Sequence, residues 1–96
     1  MQLSPKEFKE YLESKQYTLI DVRTRQEQKT YWVISQDQTH IDISHPDAAS
    51  QIQKLPKAEK YLIYCWHWVR SAQIVEYMKS LWFKEVYDLE WGIDKW

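Results

Sequence analysis

A chain of 96 residues with 13 basic and 14 acidic side chains has room for one domain with a modest core, and a net charge of −1 gives it no field to draw nucleic acid or an anionic lipid surface. Its longest apolar run, 61–66, is far too short to span a bilayer, and the first residues lead into a helix signal instead of a secretory leader, so a soluble, cytoplasmic protein is expected. One cysteine allows no internal disulfide, and His67 has no second suitable ligand nearby, so neither a metal nor a cofactor is expected.

Ser4-Pro5-Lys6-Glu7 reads as a capping box with proline at the first helical position, and Phe8, Tyr11 and Leu12 follow at helical spacing. Tyr17 to Val22 is apolar enough for a strand buried on both faces, closed by Asp21-Val22-Arg23, where Asp21 and Arg23 are expected to pair. Ile41 and Ile43 alternate with Asp42 and Ser44 and predict a short strand. Ser44-His45-Pro46-Asp47 predicts a helix through Ala49 and Ile52 that Pro56 ends. Tyr61 to Tyr64 is the central strand, and the helix opening at Arg70-Ser71 carries Ile74, Val75, Met78 and Leu81 on one face. Val86 to Leu89 is a last strand, and Gly92 begins a terminal turn or helix. Strands alternating with helices predict an α/β sandwich with a parallel sheet, whose ligand sites lie beyond the C-terminal strand ends.

Two features stand out against this frame. The chain has six tryptophans and seven tyrosines but one glycine. Trp82 stands where the helix before it calls for a glycine in left-handed conformation, at a cost of about 1 kcal/mol, and it is expected, like Trp96, to pack at the core or edge. The second feature is Tyr61-Leu-Ile-Tyr-Cys-Trp-His-Trp-Val-Arg-Ser71, which places the lone thiol between a strand and a helix. The N–H groups of the helix start, with Arg70 five residues on, favour a thiolate at Cys65; a buried, inert cysteine is the alternative.

Thr18-Leu-Ile-Asp-Val-Arg23, Tyr61 to Cys65, the Cys65 to Arg70-Ser71 spacing, Ser80 to Val86 and Leu89 to Trp96 together resemble a rhodanese-like sulfurtransferase domain over most of the chain. The resemblance implies a three-layer sandwich with a central, mainly parallel sheet flanked by helices, one domain over 1–96. It also implies a six-residue loop whose amides cradle a persulfide on Cys65, a thiosulfate-like donor and a basic loop that attracts it. The family usually has arginine and glycine where Trp66 and Trp68 stand, glycine at Trp82 and Trp91, and a histidine-proline-glycine-like turn between Arg23 and Ile41. These departures suggest an engineered scaffold, computationally redesigned at its loops of about 24–40 and 65–71.

Three functions are then open. Tyr31, Trp32, Trp66, His67, Trp68 and Trp91 form a candidate aromatic surface for a protein partner or a second copy of the chain, and this reading is preferred because tyrosine and tryptophan dominate such contacts. A rival makes Cys65 the nucleophile of a hydrolase for an activated aromatic ester, with His67 or His40 as base and helix amides as oxyanion hole. Residual sulfur transfer through Cys65 and Arg70 is the third.

Overall fold

The computed structural model describes residues 2–30, 33–35 and 37–93, with only the backbone of residue 30. Five strands form one sheet in the order β1-β5-β4-β2-β3, and every pairing is parallel. The strands are β1 (Gln2–Leu3), β2 (Tyr17–Asp21), β3 (Thr39–His40), β4 (Lys60–Tyr64) and β5 (Glu85–Leu89). The helices are α1 (Pro5–Glu13), α2 (Arg25–Thr30), α3 (Ala48–Gln53) and α4 (Val69–Ser80).

Alternation along β4 divides the core. Tyr61, Ile63 and Cys65 join Ile20, Val22, Ile52, Val75 and Met78 in the layer of α3 and α4. Leu62 and Tyr64 face the opposite way, with Leu3, Phe8, Leu19, Leu89 and Ile93 in the layer of α1. Strands that must bury both faces are apolar throughout, which is why β2 and β4 stand out in the sequence. The three-layer architecture is as expected.

Local differences have local causes. The capping box of α1 forms as read, with Ser4 Oγ accepting the Glu7 N–H and Glu7 accepting the Ser4 N–H. The expected strand at Ile41 and Ile43 lies two residues earlier, at Thr39–His40, because Asp42 breaks the extension. Its carboxylate accepts the Arg25 N–H, the Ser44 N–H and the Ser44 hydroxyl, and turns the chain. That turn also delays α3 to Ala48. Helix α2 was not anticipated: Thr24 Oγ1 accepts the Glu27 N–H while Glu27 accepts the Thr24 N–H, a second capping box. Trp82 does take the left-handed conformation, φ 71°. Its N–H donates to the Lys79 carbonyl and the Phe83 N–H to Met78, a complete helix-ending motif with tryptophan in the glycine position. It does not pack as expected: the indole is 87% exposed, because a left-handed residue past the helix end projects its side chain into solvent. Trp96 lies outside the described residues.

Candidate active site

Parallel strands all point one way, so their exits share an edge. Cys65 follows β4, Arg23 follows β2, His40 ends β3 and Trp91 follows β5.

Cys65 is 1% exposed, on the α4 face. The Ser71 N–H, in the first turn of α4, donates to Sγ at 3.4 Å. The thiol in turn donates to Ser71 Oγ at 3.4 Å, and that hydroxyl donates to the Trp68 carbonyl at 3.0 Å. Rotating one hydroxyl would turn its proton to Sγ and hold a thiolate with two donors. The 65–71 segment is fixed from outside by the turn after β5. The Ile93 N–H donates to the Cys65 carbonyl at 3.0 Å. Gly92, at φ 69°, lies so close to the loop that an added Cβ would sit 2.3 Å from the His67 carbonyl oxygen and 2.5 Å from that of Trp66. The one glycine of the chain thus stands where backbone packs on backbone, and the loop carbonyls face outward against it.

Arg70 makes two short bonds to Glu27, Nη1 to Oε1 at 2.6 Å and Nη2 to Oε2 at 2.7 Å. These bonds foremost, together with those from Thr24, hold the Glu27 carboxyl well below the usual carboxylate range, at about 2. The same pair raises the Arg70 guanidinium.

One strand over, Asp21 and Arg23 are paired as expected, and neither is exposed. The Arg23 backbone N–H, Nε and Nη2 all donate to the Asp21 carboxylate at 2.9–3.1 Å. Burial alone would lower the Arg23 guanidinium, but the bonds and charge of Asp21 outweigh it and raise it. The Tyr64 hydroxyl donates within reach of Asp21 and Gln38, beneath the Arg23 guanidinium. Burial first, then the Asp21 charge, pushes that phenol up to about 12.

The structure separates the remaining candidates. His40 Nε2 lies 2.8 Å from the Arg23 carbonyl, in a polar cleft of about 340 Å³ with Arg25, Asp42, His45 and Gln51. Sγ makes its hydrogen bonds, among the described residues, to Ser71 alone. His67 is exposed, with its ring edge-on to Trp66. Trp66 is half-buried against the α1 layer, whereas Trp68 and Trp91 are 38% and 54% exposed. Tyr31 and Trp32 lie outside the described residues. No group of three or more His, Cys, Asp or Glu among the described residues could hold a metal ion, and no described helix is long and apolar enough to cross a membrane.

Sequence reasoning missed Glu27 and the role of Ser71. The capping pattern Thr24-x-x-Glu27 was the available signal for the first, and the Cys65 to Ser71 spacing for the second.

One family model, the rhodanese-like domain, matches residues 4–96 of the chain. The chain belongs to the rhodanese-like domain family. Among its relatives is the thiosulfate sulfurtransferase GlpE of Coxiella burnetii, 27% identical over 99 residues, covering 99% of this chain and 85% of that protein. A rhodanese-like domain protein from Staphylococcus aureus superposes with a TM-score of 0.82 at 28% identity, over 100% of this chain and 91% of that one. A rhodanese-related protein from Thermoplasma volcanium gives 0.80 at 28% identity, over 99% and 88%. In this rhodanese-like chain, then, Cys65 stands on a fold shared along nearly its whole length.

Proposed function

We propose that this domain carries sulfane sulfur on Cys65. The observation that supports this reading is the hydrogen bond from the Ser71 N–H to Sγ, with the Ser71 hydroxyl positioned to add a second. The Cys65 thiolate attacks the outer sulfur of a donor; the new Sγ–S bond forms, the donor's S–S bond breaks, and the electron pair leaves with the rest of the donor. A nucleophilic acceptor then attacks the outer sulfur of the persulfide and releases the Cys65 thiolate. The two Ser71 donors stabilise the anion at both ends of this cycle.

Mass spectrometry of the intact protein after incubation with a persulfide or thiosulfate donor tests this. One added sulfur, absent in Cys65→Ser and discharged by cyanide as thiocyanate, is expected; no Cys65-dependent sulfur from any donor rules it out.

A second reading, protein binding by the aromatic edge, draws on the exposure of Trp68 and Trp91 at the mouth of the same site. It is compatible with sulfur transfer if the partner is the sulfur acceptor. Sedimentation of the chain alone tests the homodimer version: a Trp68→Ser, Trp91→Ser variant that changes an observed dimer to monomer supports it, and a monomeric parent excludes it. Among the described residues the hydrogen bonds of Sγ go to Ser71, and His40 Nε2 lies 2.8 Å from the Arg23 carbonyl, which gives the ester-hydrolysis reading no support. An engineered origin is an inference from the aromatic substitutions alone, and the chemistry above does not depend on it.

A further inference from the structure

We propose that Glu27 sets the charge preference of the sulfur site: by neutralising Arg70 it discriminates against dianionic donors such as thiosulfate and leaves the site open to donors of low charge. This rests on the reading of Cys65 as a sulfur carrier and names the donor class for it.

Arg70 is the one lysine or arginine in the 66–71 segment and directly precedes Ser71, whose N–H touches Sγ. Its charge would therefore attract an anionic donor to the sulfur. Both of its terminal nitrogens, however, bond to Glu27 at 2.6 and 2.7 Å, and the pair is one-third exposed or less. Of the other guanidinium groups at this edge, Arg23 is closed on Asp21, and Arg25 lines the cleft with His40, Asp42, His45 and Gln51. The charges of Arg23 and Arg70 are thus each balanced by a carboxylate. A thiosulfate dianion would shed its water here without gaining an uncompensated cation. Taking Arg70 from its partner would leave the Glu27 carboxylate beside the anion. An alkyl persulfide, which carries one negative charge at most, meets smaller barriers. Its transfer is balanced: the Cys65 thiolate takes the outer sulfur of R–S–SH, the new Sγ–S bond forms as the S–S bond of the donor breaks, and R–S⁻ leaves with the electron pair. Glu27 is a positioning residue, acting through Arg70.

Glu27→Gln is a clean probe, because glutamine also completes a capping box and keeps the Thr24 N–H bonded. The readout is the ratio of kcat/KM for thiosulfate to that for N-acetylcysteamine persulfide, a donor of at most one negative charge. It should rise about tenfold in Glu27→Gln, fall about tenfold in Arg70→Gln, and return to the parent value in the double variant. Raising ionic strength should compress both shifts. Calorimetry of thiosulfate binding in the Cys65→Ser background gives the same comparison without turnover, with about tenfold tighter binding expected for Glu27→Gln. An unchanged ratio and Kd across these variants, or a rise that persists without Arg70, overturns the assignment of Glu27. If the parent takes sulfur from neither donor, the sulfur-carrier reading falls, while the calorimetry still decides whether Glu27 gates anions.

Discussion

Two arginines lie at the exits of neighbouring strands, and each faces a carboxylate, but in different surroundings. Arg23 and Asp21 are both fully buried, bonded through the backbone as well as the side chain, and roofed by Tyr64. Arg70 and Glu27 sit at the rim, with side chains 32% and 23% exposed. A buried charge cannot lose its partner without a large desolvation cost, whereas a rim charge can turn to water. The inner pair is therefore suited to hold β2 and β4 in place, and the outer one to be adjusted beside a reacting sulfur.

The largest test of this contrast is Asp21→Asn, which keeps the shape and removes the charge. It should destabilise the fold by about 3–5 kcal/mol, because Arg23 would be left buried and uncompensated. Chemical denaturation measures it, and a cost close to that of Glu27→Gln would erase the distinction between the two pairs.

On the Cys65 side the comparable cost is steric. In Gly92→Ala the new Cβ would lie 2.3 Å from the His67 carbonyl oxygen, a backbone atom that can yield only if the loop moves. A loss of about 2–4 kcal/mol is expected. Because the moving segment carries Cys65, thiol reactivity should change as well. A variant that is destabilised but reacts with a thiol reagent at the parental rate would show that Gly92 supports the fold without positioning the sulfur.

Much of this was legible in the sequence, unequally for physical reasons. β2 and β4 are apolar on both faces, and α1 has its capping box, so both patterns declare themselves within a few residues. The pairing of Asp21 with Arg23 was readable because they lie two positions apart. Glu27 and Arg70 are 43 positions apart, and no local pattern joins them. Helix α2, Arg-Gln-Glu-Gln-Lys-Thr, has no apolar face to give it periodicity, and is held by its cap and by side-chain bonds to Arg70 and Asp21. The strand expected at Ile41 misled because alternation alone cannot show that Asp42 will cap two neighbouring segments. Most of the aromatic mouth could be counted in the sequence, but that Trp66 turns to the α1 layer while Trp68 and Trp91 stay at the surface depends on packing.

Acid sharpens the comparison further. The Glu27 carboxyl is held at about 2, below its ordinary 4.5, so its contribution to stability is present above about pH 4.5 and is lost as pH falls through about 2. Solvent screening at the rim limits it to about 1 kcal/mol. Melting curves of the parent and Glu27→Gln should therefore differ near neutrality and converge toward pH 2. Curves that coincide at every pH would mean that Glu27 acts through its cap alone, since glutamine preserves that bond.

The smallest effects belong to the tryptophans in left-handed turns, and they isolate what Gly92 contributes. Trp82, Trp91 and Gly92 have φ of 71°, 65° and 69°, so the backbone strain of a side chain is similar at all three. What differs is the neighbour: Gly92 lies against the loop backbone, while Trp82 lies in solvent. Trp82→Gly should relieve strain without losing packing and stabilise the domain by about 0.5–1 kcal/mol. Trp91→Gly should gain less, because Trp91 is only 54% exposed and gives up some contact. Thermal melts of the two variants check the order. If both destabilise, the exposed indoles contribute packing that offsets their strain; if both stabilise, strain at these turns outweighs the contacts the indoles make.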